Sequence, residues 1–221
     1  MKYPRLLFTL IIIITYMLKA NGQIIINEYS AANYDTYADN YTATTVPPKY
    51  NDWLELYNPT GADIDINGWY LTDKIANPTK WLIPSSFIIP ANGVALIFCS
   101  GRDEIFGNYA HSNFKITQTK GNEVLMLTNS SNILQDSIRV LPHQNSHTRG
   151  RETNGSSIWK IFTNGTPNTS NTGAMQEYEP APVFSIPSGY HNAPISLNIS
   201  SNGTIYYTLN GDAPNISSTL Y

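Results

Sequence analysis

The sequence predicts an all-β protein built as a β-sandwich. Its hydrophobic residues fall into short runs rich in Ile, Val, Leu and Tyr, separated by clusters of Asn, Gly, Pro and Ser. Several runs alternate apolar with polar side chains, as strands with one face in water do. No segment sustains the 3.6-residue period of a helix. Short strands at regular spacing with turn residues between them are typical of a sandwich.

Each predicted strand has a strand-like composition. The first two, IIINEY and WLELY, end at tyrosines, and the third, IDINGWYL, carries Ile at alternate positions. VALIFC is apolar throughout, and EVLML, ILQDSIRV and IWKIF complete the series. The predicted strands are Ile24–Tyr29, Trp53–Tyr57, Ile64–Leu71, Val94–Cys99, Glu123–Leu127, Ile133–Val140 and Ile158–Phe162.

The first 22 residues are predicted to be a secretory signal peptide. Lys2 and Arg5 precede an apolar run from Leu6 to Leu18, and small residues follow it. That run is shorter than the roughly 20 residues a membrane-spanning helix needs. An uncleaved N-terminal anchor is the alternative. Cleavage after Gly22 leaves a secreted or cell-surface protein without a membrane span.

The charge and the cysteine content exclude some classes of function. Without the three basic residues of the signal, 10 basic residues face 16 acidic ones, a net charge of −6. Nucleic acid is therefore not an expected partner, since binding to phosphates needs clustered Lys and Arg. The single cysteine, Cys99, cannot form an internal disulfide and is predicted to be a buried strand residue.

The long connection from Ala31 to Asn51 is polar and rich in tyrosine. Its aromatic rings could stack on sugars, which would make the chain a carbohydrate-binding module. The alternative is that these rings pack over the end of the sandwich. Asp35 and Asp39 in the same connection are predicted to be solvated charges. The candidate stacking residues are Tyr34, Tyr37, Tyr41 and Tyr50.

The stretch DIDING resembles the start of a calcium-binding loop. Asp63, Asp65 and Asn67 would supply oxygen ligands at positions 1, 3 and 5, and Gly68 occupies position 6. Position 12, however, is Lys74, and neither flank is helical. The sequence therefore favours a strand that ends at Gly68, with Asp63, Asp65 and Asn67 as weak calcium candidates. No other metal and no cofactor is predicted.

The sequence shows no catalytic motif. His143 and His147 are four residues apart, but Pro142 and the polar residues between them place both in an exposed loop. Glycosidases need paired carboxylates in a cleft. Glu28, Asp52 and Glu55 are the candidates, and for these a structural role is the favoured interpretation. We therefore predict that the chain is not an enzyme.

Several motifs, in order from Gln23 to Ala174, resemble the lamin tail domain, in particular its secreted bacterial form. They include INEYSAAN, DWLELYN, IDINGWYLTD, KWLIP, HSNFKI and WKIFTNGTPN. The resemblance implies an immunoglobulin-like β-sandwich without catalytic residues. It also implies framework roles, with Glu55 acting through hydrogen bonds. The framework positions it implies are Trp53, Glu55, Asn58, Gly68 and Trp69.

A linker, residues 175–181, is predicted to lead into a second β-module at residues 182–221. The stretch IYYTLNG followed by Pro214 resembles the C-terminal β-module of chitobiases and β-hexosaminidases, and the module looks truncated. The order of the two domains resembles the front end of secreted proteins that continue into a domain like the spore-coat H kinase. The expected function is a non-catalytic module that mediates adhesion or positions a downstream domain. Its alternatives are a carbohydrate-binding module and an appendage of an extracellular kinase-like or hydrolytic enzyme. Extracellular proteins and polysaccharides are the expected partners, and the sequence gives no oligomeric state.

Overall fold

The structure is a computed structural model that describes residues 24–39 and 49–221. The predicted signal peptide and Tyr41 lie outside these residues. The chain divides into two compact units, one ending at Met175 and the other running from Gln176 to Tyr221. Residues 24–39 and 49–221 contain no helix with the length and hydrophobicity needed to span a bilayer.

A seven-stranded sheet forms one layer of the first unit. Its neighbours are antiparallel except for one parallel pair, β7 with β9. With strands numbered in chain order, the sheet runs β13 (Trp159–Phe162), β12 (Thr148–Arg151), β1 (Ile25–Ser30), β2 (Trp53–Tyr57), β7 (Val94–Phe98), β9 (Tyr109–His111) and β8 (Glu104–Phe106).

A four-stranded antiparallel sheet forms the facing layer. Its order is β11 (Leu134–Arg139), β10 (Val124–Thr128), β4 (Tyr70–Thr72) and β5 (Trp81–Leu82). A short pair at the side consists of β3 (Ile64–Asp65) and β6 (Ile88–Ile89).

The hydrophobic core lies between the two sheets. Leu54 and Leu56 of β2 and Ile97 of β7 contribute from one side, and Leu71 of β4 and Leu125 of β10 from the other. All five side chains are fully buried. Because successive side chains of a strand point to opposite faces, Trp53 and Glu55 lie on the outer face of the seven-stranded sheet. The predicted all-β sandwich is confirmed.

Some strands differ from the prediction. The single strand expected at Ile64–Leu71 is two short strands in different sheets, because the chain turns at Asn67 and Gly68. Gly68 has a φ of 77°, in the region that glycine tolerates best. Strands β5, β6, β8, β9 and β12 were not predicted from the sequence. The first four span two or three residues each, and β12 reads TRGR, which carries no hydrophobic signal.

The second unit contains two pairs of two-residue strands. These are β14 (Val183–Phe184) with β15 (Ile199–Ser200), and β16 (Tyr206–Tyr207) with β17 (Thr219–Leu220). No residue from 176 to 221 is buried, and all of these residues are described. Large apolar side chains are therefore left in solvent, among them Val183, Phe184, Leu209 and Ile216.

Candidate binding site

Three neighbouring strands of the large sheet bring their loops together at one end of the strands. Strand β2 runs antiparallel to both β1 and β7, so the ends of β1 and β7 meet the start of β2. Residues just outside these strands therefore lie side by side. They are Ala31–Asn33 after β1, Asp52 before β2, and Cys99 after β7.

Asn33 fixes the loop that follows β1. Its side-chain amide donates hydrogen bonds to the backbone oxygens of Tyr37 (2.7 Å) and Asn51 (2.9 Å). Its side-chain oxygen accepts the backbone N–H of Tyr37 at 3.1 Å. Further along, the backbone N–H of Asp39 donates to the oxygen of Lys49 at 2.7 Å. The two described ends of the loop are thus held close together.

An ion pair attaches the same loop to the sheet. The Asp39 carboxylate is fully buried and accepts hydrogen bonds from Arg102 Nη1 (2.7 Å), Arg102 Nη2 (3.1 Å) and Asn51 Nδ2 (2.6 Å). Burial alone would raise the pKa of Asp39, but the bonds and charge of Arg102 hold that pKa below its ordinary value. The prediction that Asp39 is a solvated loop charge is therefore wrong. Asp35 is exposed, as predicted.

A pocket of about 340 Å³ opens at this end of the strands. Tyr34, which is 68% exposed, and the half-buried Tyr50 supply aromatic rings. Asp52 and Lys115 are the charged residues of its wall, and Cys99 is a buried part of the lining. The other lining residues are Ala31, Ala32, Asn33, Asn51 and Ile116.

Asp52 carries the strongest acceptor in the pocket wall. Its Oδ1 accepts the backbone N–H of Asn33 at 3.0 Å. Burial raises the pKa of Asp52 to about 6, so the carboxyl is mostly ionised at neutral pH. The Cys99 thiol is fully buried, as predicted, and burial raises its pKa well above the ordinary value. An inert thiol at this position adds hydrophobic surface and no reactivity.

The tyrosines of the loop do not act as one group. Tyr37 packs on the outer face of the sheet, stacked on Phe98 with ring centroids 6.1 Å apart. Its hydroxyl lies 3.1 Å from that of Tyr109 and accepts a bond from Asn168 Nδ2 at 2.8 Å. Burial raises the pKa of Tyr37 to about 12. Tyr34 and Tyr50 thus line the pocket, whereas Tyr37 packs on the outer face of the sheet and not over the end of the sandwich.

Glu28 and Glu55 lie opposite each other on β1 and β2, and neither is exposed to solvent. Glu55 accepts hydrogen bonds from Asn27 Nδ2 (2.9 Å) and from the backbone N–H of Asn168 (2.7 Å). Glu28 accepts the backbone N–H of Thr166 at 3.0 Å and its hydroxyl at 2.6 Å. The two carboxyls therefore hold residues 166–168 against the outer face, and Glu55 acts through hydrogen bonds, as the resemblance implies.

Burial dominates the titration of both groups. It raises the pKa of Glu28, and it raises that of Glu55 to about 8, with the negative charge of Glu28 adding to the shift. Asp52 directly precedes the start of β2 and lines the pocket, whereas Glu55 lies within the strand and pairs with Glu28. The three carboxylates considered for a glycosidase thus do not form one solvent-accessible cleft.

The candidate calcium ligands serve as turn residues. Asp65 Oδ1 accepts the backbone N–H groups of Asn67 (2.9 Å) and Phe87 (3.0 Å), and its Oδ2 accepts the hydroxyl of Ser86 at 2.8 Å. Asp63 Oδ1 accepts the backbone N–H of Ala91 at 2.9 Å. Asn67 is exposed. Within residues 24–39 and 49–221, no group of three or more His, Cys, Asp or Glu side chains is arranged to hold a metal.

Replacing Asp65 with alanine should destabilise the first unit by about 1 kcal/mol, because two backbone N–H groups lose their acceptor. We expect a fall of about 2–4 °C in Tm. The loss should be equal in calcium and in a chelator, as followed by thermal unfolding. Asp63→Ala, which removes one backbone bond, is the matched control with a smaller loss. A calcium-dependent rise in Tm that Asp65→Ala abolishes would restore the metal-site interpretation.

His143 and His147 lie in a loop, as predicted, but the prediction that His143 is exposed is wrong. His143 is buried, not exposed, because its Nε2 accepts the backbone N–H of Ala31 at 2.9 Å. Burial lowers the pKa of His143, which keeps the ring neutral for this role. His147 is half-buried. His143 thus supports the loop that ends at the pocket.

Comparison with protein families agrees with this architecture. The model of the lamin tail domain matches residues 18–141, which is more than half of the chain. No curated protein matches the chain. Strands β12 and β13 follow the matched region and complete the seven-stranded sheet. The chain therefore belongs to the lamin tail domain family, and its first unit is an immunoglobulin-like β-sandwich.

Proposed function

We propose that this chain is a non-catalytic interaction module of an exported protein. It binds its partner at the pocket beside the end of β1, the start of β2 and the end of β7. The observation that carries the proposal is the convergence of Tyr34, Tyr50, Asp52 and Lys115 on one opening of about 340 Å³. Binding residues on loops that a rigid sheet holds in place are a common arrangement. Here Asn33 and the Asp39–Arg102 ion pair hold the loop.

The burial of Glu28 and Glu55 argues against a catalytic role for them and supports a binding function for the module. Glu28 and Glu55 have hydrogen-bond donors on their oxygens and no exposed surface. A general acid or base must reach the proton that it transfers, which requires access to substrate. The side chains that remain accessible at the pocket, an aromatic pair, a carboxylate and an ammonium, provide contacts for recognition.

A carbohydrate-binding module is the second candidate function, and the exposed ring of Tyr34 favours it. An extracellular polysaccharide would meet this ring and the polar groups beside it. The signal-like N-terminus supports export to the cell surface or medium. The net charge of −6 without that segment argues against nucleic acid as the partner.

The second unit is proposed to be a chitobiase-like β-module that takes up further strands. Its apolar side chains Val183, Phe184, Leu209 and Ile216 are all more than half exposed. Apolar area of this kind is normally covered by another strand or partner. In this proposal the first unit binds the surface, and the second connects it to a neighbouring domain, such as that of a kinase-like or hydrolytic enzyme.

The test is co-sedimentation of residues 23–221 with insoluble chitin, cellulose and peptidoglycan, and with whole cells. We expect retention on at least one of them, and we expect Tyr34→Ala to reduce it severalfold. Tyr190→Ala is the matched control, since this tyrosine is also exposed but lies in the other unit. Failure to bind any of these materials, or equal retention of the Tyr34 variant, would contradict the proposal.

A further inference from the structure

The pocket wall carries one charge of each sign. Asp52 supplies a carboxylate and Lys115 an ammonium group, and the remaining lining residues are uncharged. The negative charge of the whole chain is thus not reproduced in the pocket. A ligand there meets an acceptor and a donor that are both charged, with no excess of either sign.

Both groups have capacity for a ligand. The one hydrogen bond that the described residues make to the Asp52 carboxylate comes from Asn33 to Oδ1, so Oδ2 remains as an acceptor. Lys115 is exposed, and its charge lowers the pKa of Asp52 as a minor contribution beside burial. A carboxylate can accept hydrogen bonds from two neighbouring hydroxyls, and an ammonium can donate three.

We propose that the pocket binds one uncharged pyranose ring of an extracellular polysaccharide. The C–H face of the sugar stacks on Tyr34 or Tyr50, its hydroxyls donate to Asp52, and its oxygens accept from Lys115. This inference rests on the proposed function and names the ligand class of the same site. The pocket volume, near the lower end of the roughly 300–1,000 Å³ of small-molecule sites, suits one ring and the start of the next.

Charged ligands fit the wall less well. The ammonium of an amino sugar or a lysine side chain meets Lys115 as well as Asp52, and the carboxylate of a uronic acid meets Asp52 as well as Lys115. Neither charge therefore gains a net attraction that offsets its loss of hydration. Like charges at close range in a partly desolvated site weaken binding. A peptide bound as an added strand would need an open sheet edge. The pocket instead lies at the end of β2, which is paired on both sides.

The test is a titration of residues 23–221 with three sets of monosaccharides, followed by NMR. The neutral set is the methyl glycosides of glucose, galactose, mannose and xylose. The charged sets are glucosamine and glucuronic acid. We expect millimolar binding of at least one neutral glycoside, with shifts at the Ala31 and Ala32 amides, and binding at least about fivefold weaker for both charged sugars. Preferred binding of a charged sugar would overturn the inference.

Two variants act as a matched pair. Asp52→Asn should weaken the neutral sugar about tenfold and reduce the disadvantage of glucuronic acid. Lys115→Gln should weaken the neutral sugar severalfold and reduce the disadvantage of glucosamine. Thermal unfolding of each variant verifies that it is folded. If either variant leaves neutral-sugar binding unchanged, the assigned contacts are wrong.

The result also separates this inference from the proposed function. Retention on a polymer or on cells that Tyr34→Ala reduces, together with no binding of any neutral glycoside, overturns the pyranose assignment alone. Loss of retention on every material contradicts the interaction module itself.

Discussion

Replacing Arg102 with alanine should destabilise the first unit by about 3 kcal/mol at pH 8. The substitution removes the guanidinium that bonds both oxygens of the fully buried Asp39 carboxylate, and removing one member of a buried ion pair costs roughly 3–5 kcal/mol. We expect the lower end of that range, because Asn51 Nδ2 still donates to Asp39 at 2.6 Å. Urea unfolding followed by tryptophan fluorescence measures the change in the first unit, which contains all four tryptophans.

The loss should be smaller at pH 5. His111 Nδ1 lies 4.0 Å from Asp39 Oδ2, and burial and then the charge of Arg102 lower the pKa of this histidine. Without Arg102 one cause of the lowered His111 pKa is removed, and the Asp39 carboxylate favours the imidazolium, so the variant protonates this histidine more readily. The wild type loses stability as pH falls below about 6.5, because its folded-state His111 pKa lies below the unfolded value, and the variant loses less.

Two controls isolate the ion pair. Arg139→Ala removes an exposed arginine that bonds the backbone of Gly121, and it should change the free energy of unfolding by less than about 0.5 kcal/mol. Asp39→Asn combined with Arg102→Ala should recover part of the loss, because no buried charge is then uncompensated. A single-variant loss that matches Arg139→Ala at both pH values would show that the pair does not hold the loop.

This ion pair also shows where sequence reasoning reached its limit. Asp39 and Arg102 are 63 positions apart, and neither stands in a pattern that indicates a partner. A polar loop normally predicts solvated charges, and that expectation failed because the loop folds back over the sheet. The buried His143 failed in the same way, since its partner is the backbone of Ala31, 112 residues away.

The fold was predictable because it depends on local patterns. Period-2 runs such as WLELY place Leu54 and Leu56 in the core and Glu55 on the other face, and the structure has them there. Two of the ten residues that line the pocket, Tyr34 and Tyr50, were predictable as ligand contacts, because tyrosines concentrate in one loop. Lys115 was not predicted, because its place in the same pocket as Asp52 depends on how the chain after β9 returns to the start of β2.

Raising the pH from 7 to 8 should destabilise the first unit by about 1 kcal/mol. Burial and the nearby Glu28 raise the folded-state pKa of Glu55 to about 8, from an ordinary 4.5. Its protonated form therefore stabilises the fold fully below about pH 4.5, and this contribution is lost as pH rises through about 8. One such group gives a slope of up to about 1.4 kcal/mol per pH unit.

Groups other than the buried glutamates have little influence in this interval. Burial raises the pKa of Asp52 only to about 6, so its contribution is nearly lost by pH 7. His111 and His143 have pKa values that are lowered by burial, so they add stability only as pH rises toward about 6.5. Glu28, with a pKa raised by burial, acts with the same sign as Glu55. Urea unfolding at pH 7.0, 7.5 and 8.0 therefore reports mainly on the buried glutamates.

Glu55→Gln should flatten this pH dependence while lowering stability at pH 7. The glutamine side chain is uncharged at every pH. Its NH2 group cannot accept a hydrogen bond, however, and it must face one of the two donors, Asn27 Nδ2 or the backbone N–H of Asn168. One lost bond of this kind costs about 1–3 kcal/mol. Glu152→Gln, at a half-buried glutamate, should keep the wild-type slope.

The pH dependence also distinguishes two states of the buried pair. If Glu55 were ionised at pH 7, its two N–H donors would outweigh burial, and stability would not fall between pH 7 and 8. A steady fall that Glu55→Gln reduces shows instead that the carboxyl folds protonated. In that case ionisation favours opening of this region, which returns the charge to water, although Thr166 and Asn168 keep their acceptors in the closed state. The backbone amides of Thr166 and Asn168 should therefore exchange faster at pH 8 than base catalysis alone predicts.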